Sequence, residues 1–266
     1  MKPLILLSND DGIHAPGIRH LWEALHEANF AELVIAAPAS EKSGTGVAIT
    51  WDKPIHVQKV SWPEQTSAWS VDGNPADCVK MAEAVILKRK PDLIVAGINA
   101  GSNAGRNVLH SGTVGAVIEG ALRDIPGVAF SCENGREPNF EVAKKYVAYI
   151  CQYLLKNPLP KGTILNVNIP HAAKTAVKGM KWTRQGKGRW AESPYLHLET
   201  DKGLSYFLGG KPEERDEENC CDISWLKEGY LTAVPLYVHE LTDERCLKEK
   251  KGNFENFSEE LFFQLS

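Results

Sequence analysis

The chain has 266 residues, with 30 lysines and arginines against 34 aspartates and glutamates, giving a formal charge of −4. It lacks the basic face that a nucleic-acid polymer needs. Six scattered cysteines form no CxxC pair, no apolar run is long enough for a bilayer, and the first strand begins without a basic leader. The expectation is therefore a cytoplasmic protein with reduced thiols and no membrane partner.

Taken in chain order, Leu4–Ser8 reads as a strand and runs into Asn9, Asp10, Asp11 and Gly12. A helix is expected over 17–28, a strand over 33–37, and then the polar loop Pro38–Gly46. Residues 46–72 carry short β-type alternation and read as a β excursion. Pro75 suits the first turn of a helix over 76–88. A strand at 93–98 leads into the glycine-rich loop Asn99–Asn107 and on to His110–Gly115. Helices at 114–123 and 142–155 then alternate with strands at 128–131 and 163–169. This alternation predicts an α/β fold, a Rossmann-like three-layer αβα core with a mostly parallel sheet.

That core is assigned to residues 1–178. Residues 179–266 read as an extended β lobe followed by a terminal helix and oligomerisation segment, with strand-like pieces near 180–184, 204–208 and 231–238. The acidic run Glu213–Glu218 suits a solvated loop. Phe254, Phe257, Leu261 and Phe262 form one helical stripe that must cover an apolar surface, on its own body or on another subunit.

In open α/β sheets ligands sit beyond the carboxyl ends of the strands, where Asp10 and Asp11 fall. Adjacent carboxylates repel unless a cation or several hydrogen bonds offset the charge, and a hard divalent metal with oxygen ligands does so. An Asx turn, with Asn9 and Asp10 on local backbone and Gly12 at positive φ, is the alternative. Ser43, in the loop after the second strand, lies on the same edge, where a hydroxyl can ligate metal and amides can face an anion. Ser111, Gly112 and Thr113 precede a helix whose N-terminus can receive a phosphate, or merely be capped by one of the hydroxyls. GxGxxG, GK[ST] and GxSxG are all absent, which argues against dinucleotide, P-loop and serine-hydrolase chemistry. The three oxygen-rich loops together favour metal-dependent phosphoester hydrolysis over passive nucleotide binding. His110, within this cluster, is either a proton shuttle or a structural histidine.

The sequence resembles the SurE family of metal-dependent nucleoside monophosphate phosphatases. The likeness is carried by Ser8–Gly12, Ala37-Pro38 with Ser43–Gly46, Gly73–Val79, Gly97–Gly105 and His110–Ala116, with Asn166–Pro170, Thr183–Gln185 and Glu228–Tyr230 added. The resemblance implies one Mg²⁺ or Mn²⁺ per subunit on Asp10, Asp11, Ser43 and Asn99. It also implies phosphate contacts from Asn103, Ser111, Gly112 and Thr113. Hydrolysis of 5′-nucleotides, with 3′-nucleotides as a further substrate class, and a homodimer or homotetramer with exchanged C-terminal segments follow in the same way. Asp10, Asp11 and His110 are the candidate catalytic groups. The rival readings are a phosphatase acting mainly on short polyphosphate or other phosphomonoesters, and a nucleotide-binding protein without turnover.

Overall fold

The protein is described here by a computed structural model covering residues 2–133, 138–171, 177–213 and 220–265, with the side chains of Glu192, Pro212 and residues 257–265 outside the description. In chain order the first half contains β1 (Leu4–Ser8), α1 (Pro16–Ala28), β2 (Glu32–Pro38), β3 (Val57–Val60), β4 (Ser67–Val71), α2 (Pro75–Met81), β5 (Leu93–Ala100), α3 (Gly112–Ala121) and β6 (Gly127–Cys132). There follow α4 (Phe140–Lys156), β7 (Thr163–Ile169), β8 (Met180–Trp182), β9 (Arg189–Glu192), β10 (Tyr195–Thr200), β11 (Gly203–Phe207), β12 (Gly210–Glu213), α5 (Asp222–Lys227), β13 (Leu231–Tyr237) and α6 (Glu244–Leu265).

Nine strands form one sheet in the order β3-β4-β2-β1-β5-β6-β7-β13-β8. Pairing is parallel from β4 across to β7 and antiparallel at β3–β4 and β7–β13. All five residues of β1 are buried, as an unbroken apolar run in a strand covered on both faces requires. Ile5 and Leu7 enter one core with Ile18, Leu21 and Leu25 of α1 and Val147 and Ile150 of α4. Leu6 points the other way, into a second core with Val79 of α2 and Val114 and Val117 of α3. The side-chain period of two thus sorts one strand between two helical layers. The expected three-layer αβα fold is the fold observed.

The expected helices and strands shift by a residue or two at their ends. The expected helix over 76–88 is an α-helix only to Met81 and continues as a π-type turn, Ala82–Ile86. The β excursion over 46–72 is corrected in a more informative way, since no strand forms before Val57. β4 lies in the main sheet, parallel to β2, with Ile35 opposite Ala68. β4 is an inner strand, flanked by β2 and by the antiparallel edge strand β3, and its place in the main sheet rests on the long-range pairing with β2.

Beyond residue 178, β8 and β13 return to the main sheet, while β10–β11 and β9–β12 form two separate antiparallel ribbons. Glu213 ends β12, and the rest of the acidic run, residues 214–218, lies outside the described residues. α6 is helical as expected and Phe254 is exposed, whereas the side chains of Phe257, Leu261 and Phe262 lie outside the described ones.

Close approach of α1 to the sheet depends on Gly17. A Cβ there would lie 2.0 Å from the Ile98 carbonyl oxygen, and backbone cannot swing aside as a side chain can. Gly17→Ala should therefore lower the denaturation midpoint by the equivalent of about 1–3 kcal/mol, the usual cost of overpacking. Unchanged denaturant unfolding in this variant would contradict the packing described.

Candidate active site

Strand order reverses at β1, whose connection leads to β2 on one side and whose other neighbour is β5. The crevice at such a switch point is where ligands enter open α/β sheets. β1 pairs with β5 as far as Ser8 opposite Ala96, and the turn that follows carries Asp11 to the end of β5, which contains Asn99. The Ala100 amide accordingly donates to Asp11 Oδ2 at 3.4 Å.

The turn that carries the carboxylates has the expected positive φ at Gly12, but the Asp10 carboxylate is bonded by α3 and not held by an Asx turn. Asn9 Nδ2 donates to the Gly12 carbonyl at 2.8 Å, and Gly12 has φ +102°, a conformation open to glycine. The bond runs from the Asn9 amide group to a carbonyl, whereas an Asx turn would have Asn9 Oδ1 accept a backbone N–H; that oxygen has no partner, so the turn is tied down without using up its acceptors. Asp10 is buried, while Asp11 is partly exposed.

The loop after β2 is tied to the same turn. The Lys42 amide donates to the Asp10 carbonyl at 2.7 Å and the Ile13 amide to the Pro38 carbonyl at 2.8 Å. Ser43 therefore follows directly on a residue bonded to Asp10. Its exposed hydroxyl donates to Glu41 Oε1 at 3.0 Å. Downstream, the Gly46 amide donates to the His110 carbonyl at 3.0 Å, and Thr50 is held by Asp77 through its amide and its hydroxyl. Gly115 allows that contact, since a Cβ there would meet the Gly46 carbonyl oxygen at 2.1 Å.

Asn99 Nδ2 donates to the Gly101 carbonyl at 2.8 Å, which leaves Oδ1 as the acceptor a cation could use. Asn103 is buried in an amide network. Its amide nitrogen donates to Ser131 Oγ at 2.8 Å, its backbone N–H to Asn168 Oδ1 at 2.7 Å, and its carbonyl accepts from Asn166 Nδ2 at 3.0 Å and Gln185 Nε2 at 3.3 Å. Two asparagines at alternate positions of the otherwise apolar β7 were a legible signal of such a wall.

The start of α3 faces Asp10. Thr113 Oγ1 donates to Asp10 Oδ1, the Gly112 and Thr113 amides also bond this carboxylate, and Ser111 Oγ caps the helix by accepting from the Val114 amide at 3.1 Å. A Cβ on Gly112 would come within 2.8 Å of Asp10 Cβ. His110 is exposed and its ring has no hydrogen bond to either aspartate among the described residues.

Burial raises the Asp10 carboxyl above its usual range, against the opposing hydrogen bonds from Thr113 and Gly112. Asp11 is pushed up to about 6, first by burial and then by the neighbouring Asp10 charge, with Glu41 adding to it. No lysine or arginine among the described residues offsets the pair. Two buried oxygens beside it, Ser8 Oγ and Asn9 Oδ1, also lack a partner. An all-oxygen, electrostatically uncompensated donor set fits a hard divalent cation. By contrast, Glu23 of the His20–Glu23–Glu141 cluster on α1 and α4 is already paired with Arg19 at 3.1 Å and Lys144 at 3.5 Å.

The family profile described as survival protein SurE matches residues 5–192. The chain belongs to the SurE family. It is 45% identical over 258 residues to the 5′-nucleotidase SurE of Protochlamydia amoebophila, covering 96% of this chain and 98% of that one. It is 41% identical over 251 residues to the 5′-nucleotidase SurE of Christiangramia forsetii, covering 93% and 95%. The crystal structure of the SurE protein from Aquifex aeolicus superposes with a TM-score of 0.80 at 35% identity, over 94% of this chain and 98% of that chain. SurE nucleotidases depend on a metal, which agrees with the donor set found here.

Sequence reasoning did not single out Glu41, which touches Ser43 and bears on Asp11, or Asp222. The latter is fully buried and accepts from the Gly105 amide at 3.0 Å and the Gly186 amide at 2.7 Å. Asp222 opens a six-residue helix in a stretch without periodicity, and nothing in its neighbours marks it.

In this SurE protein without metal, ionised Asp11 should be a source of instability. Its folded carboxyl titrates near 6 rather than at the ordinary 3.8, so between these values the folded chain holds the extra proton and stability falls as pH rises. In EDTA, Asp11→Asn should melt higher than wild type above pH 6, and this advantage should vanish below about pH 4. An advantage that persists at low pH would show that charge is not its cause.

Proposed function

We propose that this chain is a metal-dependent 5′-nucleotidase, releasing phosphate from nucleoside monophosphates, with 3′-nucleotides as a second class to test. The observation that carries the reading is the uncompensated Asp10–Asp11 pair at the switch point, in a family whose relatives are named 5′-nucleotidase. Asp10, Asp11, Ser43 and Asn99 would hold one Mg²⁺ or Mn²⁺. When bound, such an ion neutralises charge on the phosphoryl oxygens and lowers the pKa of a water.

The chain's own residues supply orientation and donors. Thr113, with the Gly112 amide, fixes Asp10, and a side chain at Gly112 would displace that carboxylate. Ser111 keeps its hydroxyl hydrogen, because its oxygen is the acceptor in the helix cap, and Asn103 keeps one of two amide hydrogens after bonding Ser131. Both are assigned to the equatorial phosphate oxygens, together with the positive end of α3. His110, exposed beside Ser111, is assigned to carry protons between the reaction and solvent.

The names of the relatives favour nucleotides over polyphosphate, and turnover over binding alone. A cytoplasmic location accords with six free thiols and with the absence, among the described residues, of a helix long and apolar enough to cross a membrane. A homodimer or homotetramer is supported by the β10–β11 ribbon. Tyr195, Leu196, Leu198, Tyr206 and Phe207 are all at least half exposed there, and a two-stranded ribbon is marginal in water without a partner surface.

Asp11→Asn should cut phosphate release from AMP or GMP by at least 100-fold with the circular dichroism spectrum intact. EDTA should abolish the wild-type rate and Mn²⁺ or Mg²⁺ restore it. A folded variant with near-normal turnover would refute the assignment. Leu198→Glu combined with Tyr206→Glu on the ribbon should lower the mass measured by light scattering, and an unchanged mass would remove the ribbon from the interface.

A further inference from the structure

A cavity of about 760 Å³ opens beside the reaction site, with Gly44, next to Ser43, and His110, next to Ser111, on its inner rim. That volume lies in the range of small-molecule sites and exceeds what a phosphate needs. Its outer wall carries Trp190, Leu109 and Leu208, each substantially exposed. Arg106 and Asn107 provide the polar groups between them.

The wall is held from below. The Arg106 amide donates to the Gly188 carbonyl at 2.7 Å, and a Cβ on Gly105 would lie 2.4 Å from that oxygen. The Asp222 carboxylate bridges the Gly105 and Gly186 amides. The segment bearing Trp190 is thereby fixed against the turn bearing Arg106. Asn107 Oδ1 accepts from the Trp190 amide at 2.9 Å, so what this side chain has left to offer is its NH₂ group.

We infer that this cavity binds the nucleobase of the substrate and prefers a 6-oxopurine, an inference that rests on the nucleotidase reading. Trp190 is the stacking surface, with Leu109 and Leu208 flanking it. Arg106 and Asn107 present donors, the Arg189 guanidinium is held by Glu213 at 2.8 Å, and among the described residues no carboxylate lines the cavity. Guanine and hypoxanthine meet donors with O6 and N7, both acceptors. Adenine offers N7 but sets its N6 amino group against another donor. A donor facing a donor loses a hydrogen bond and leaves two polar groups unpaired.

The test compares kcat/KM of the metal-loaded wild-type enzyme for GMP, IMP, AMP, CMP and ribose 5-phosphate. GMP and IMP should be close to each other and about tenfold above AMP, with CMP lower still. Arg106→Ala should bring the GMP-to-AMP ratio near one, and Trp190→Ala should raise KM for every nucleotide about tenfold. Both should leave ribose 5-phosphate hydrolysis unchanged, which also shows that the variants fold and keep their site. Equal GMP and AMP values in wild type, or ratios unmoved in both variants, would overturn the inference. Calorimetric binding of GMP and AMP in EDTA reads the cavity separately from turnover. No hydrolysis of any ester with Mg²⁺ or Mn²⁺ would defeat the nucleotidase reading, while equal binding of the two nucleotides would defeat the base assignment.

Discussion

Two carboxylates placed next to each other at the end of a buried strand, with no cationic side chain against them among the described residues, set the terms for the surrounding structure. Desolvation and mutual repulsion both oppose ionisation, and Asp11 is held near 6 as a result. A sequence selected only for stability would answer such a pair with an arginine or lysine. Here the compensation within the chain is partial, consisting of the Thr113 hydroxyl and the first amides of α3 on Asp10 and a single long amide contact on Asp11. The remaining deficit favours an external cation, which is how a binding site differs from an internal salt bridge.

This arrangement also accounts for the composition of α3. The helix can point its N-terminus at Asp10 only by lying close to the sheet and to the Ser43 loop. Gly112, Gly115 and Gly120 each mark a place where a Cβ would strike Asp10, Gly46 or Ile94. Glycine inside a helix costs about 1 kcal/mol relative to alanine, so three of them make little sense as helix design. They make sense as clearance. The amide network of Asn103, Asn166, Asn168 and Gln185 serves the neighbouring loop similarly, giving its backbone fixed polar partners where apolar packing would leave them unsatisfied.

The core and the acidic turn were legible because they obey local rules. Unbroken apolar runs marked β1 and β5, and oxygen-rich loops after successive strands had to share an edge once the sheet was parallel. β4 escaped because its sequence shows only the local antiparallel partner β3, while membership of the main sheet is decided by the long-range pairing with β2. The ribbons β9–β12 and β10–β11 escaped in part because their apolar residues face outward, so no buried face imposes a period. The direction of the Thr113 hydroxyl was illegible for a different reason. Ser111 and Thr113 are equally good capping residues, and which one caps the helix and which one turns to Asp10 depends on where β1 delivers the carboxylate.

The same division separates the chemistry from its selectivity. The reacting end is assembled on β1, β5 and α3, where almost every residue is buried and displacement is costly. The outer cavity is built from an exposed turn and a half-exposed ribbon, joined through Asp222 and a few backbone bonds. Substitutions at Trp190 or Leu208 encounter solvent and a single neighbouring wall, so they can reshape what is admitted with little effect on the packing that positions the aspartates. A buried sheet edge that cannot drift, next to a rim that can, allows one hydrolytic centre to change substrate preference without being rebuilt.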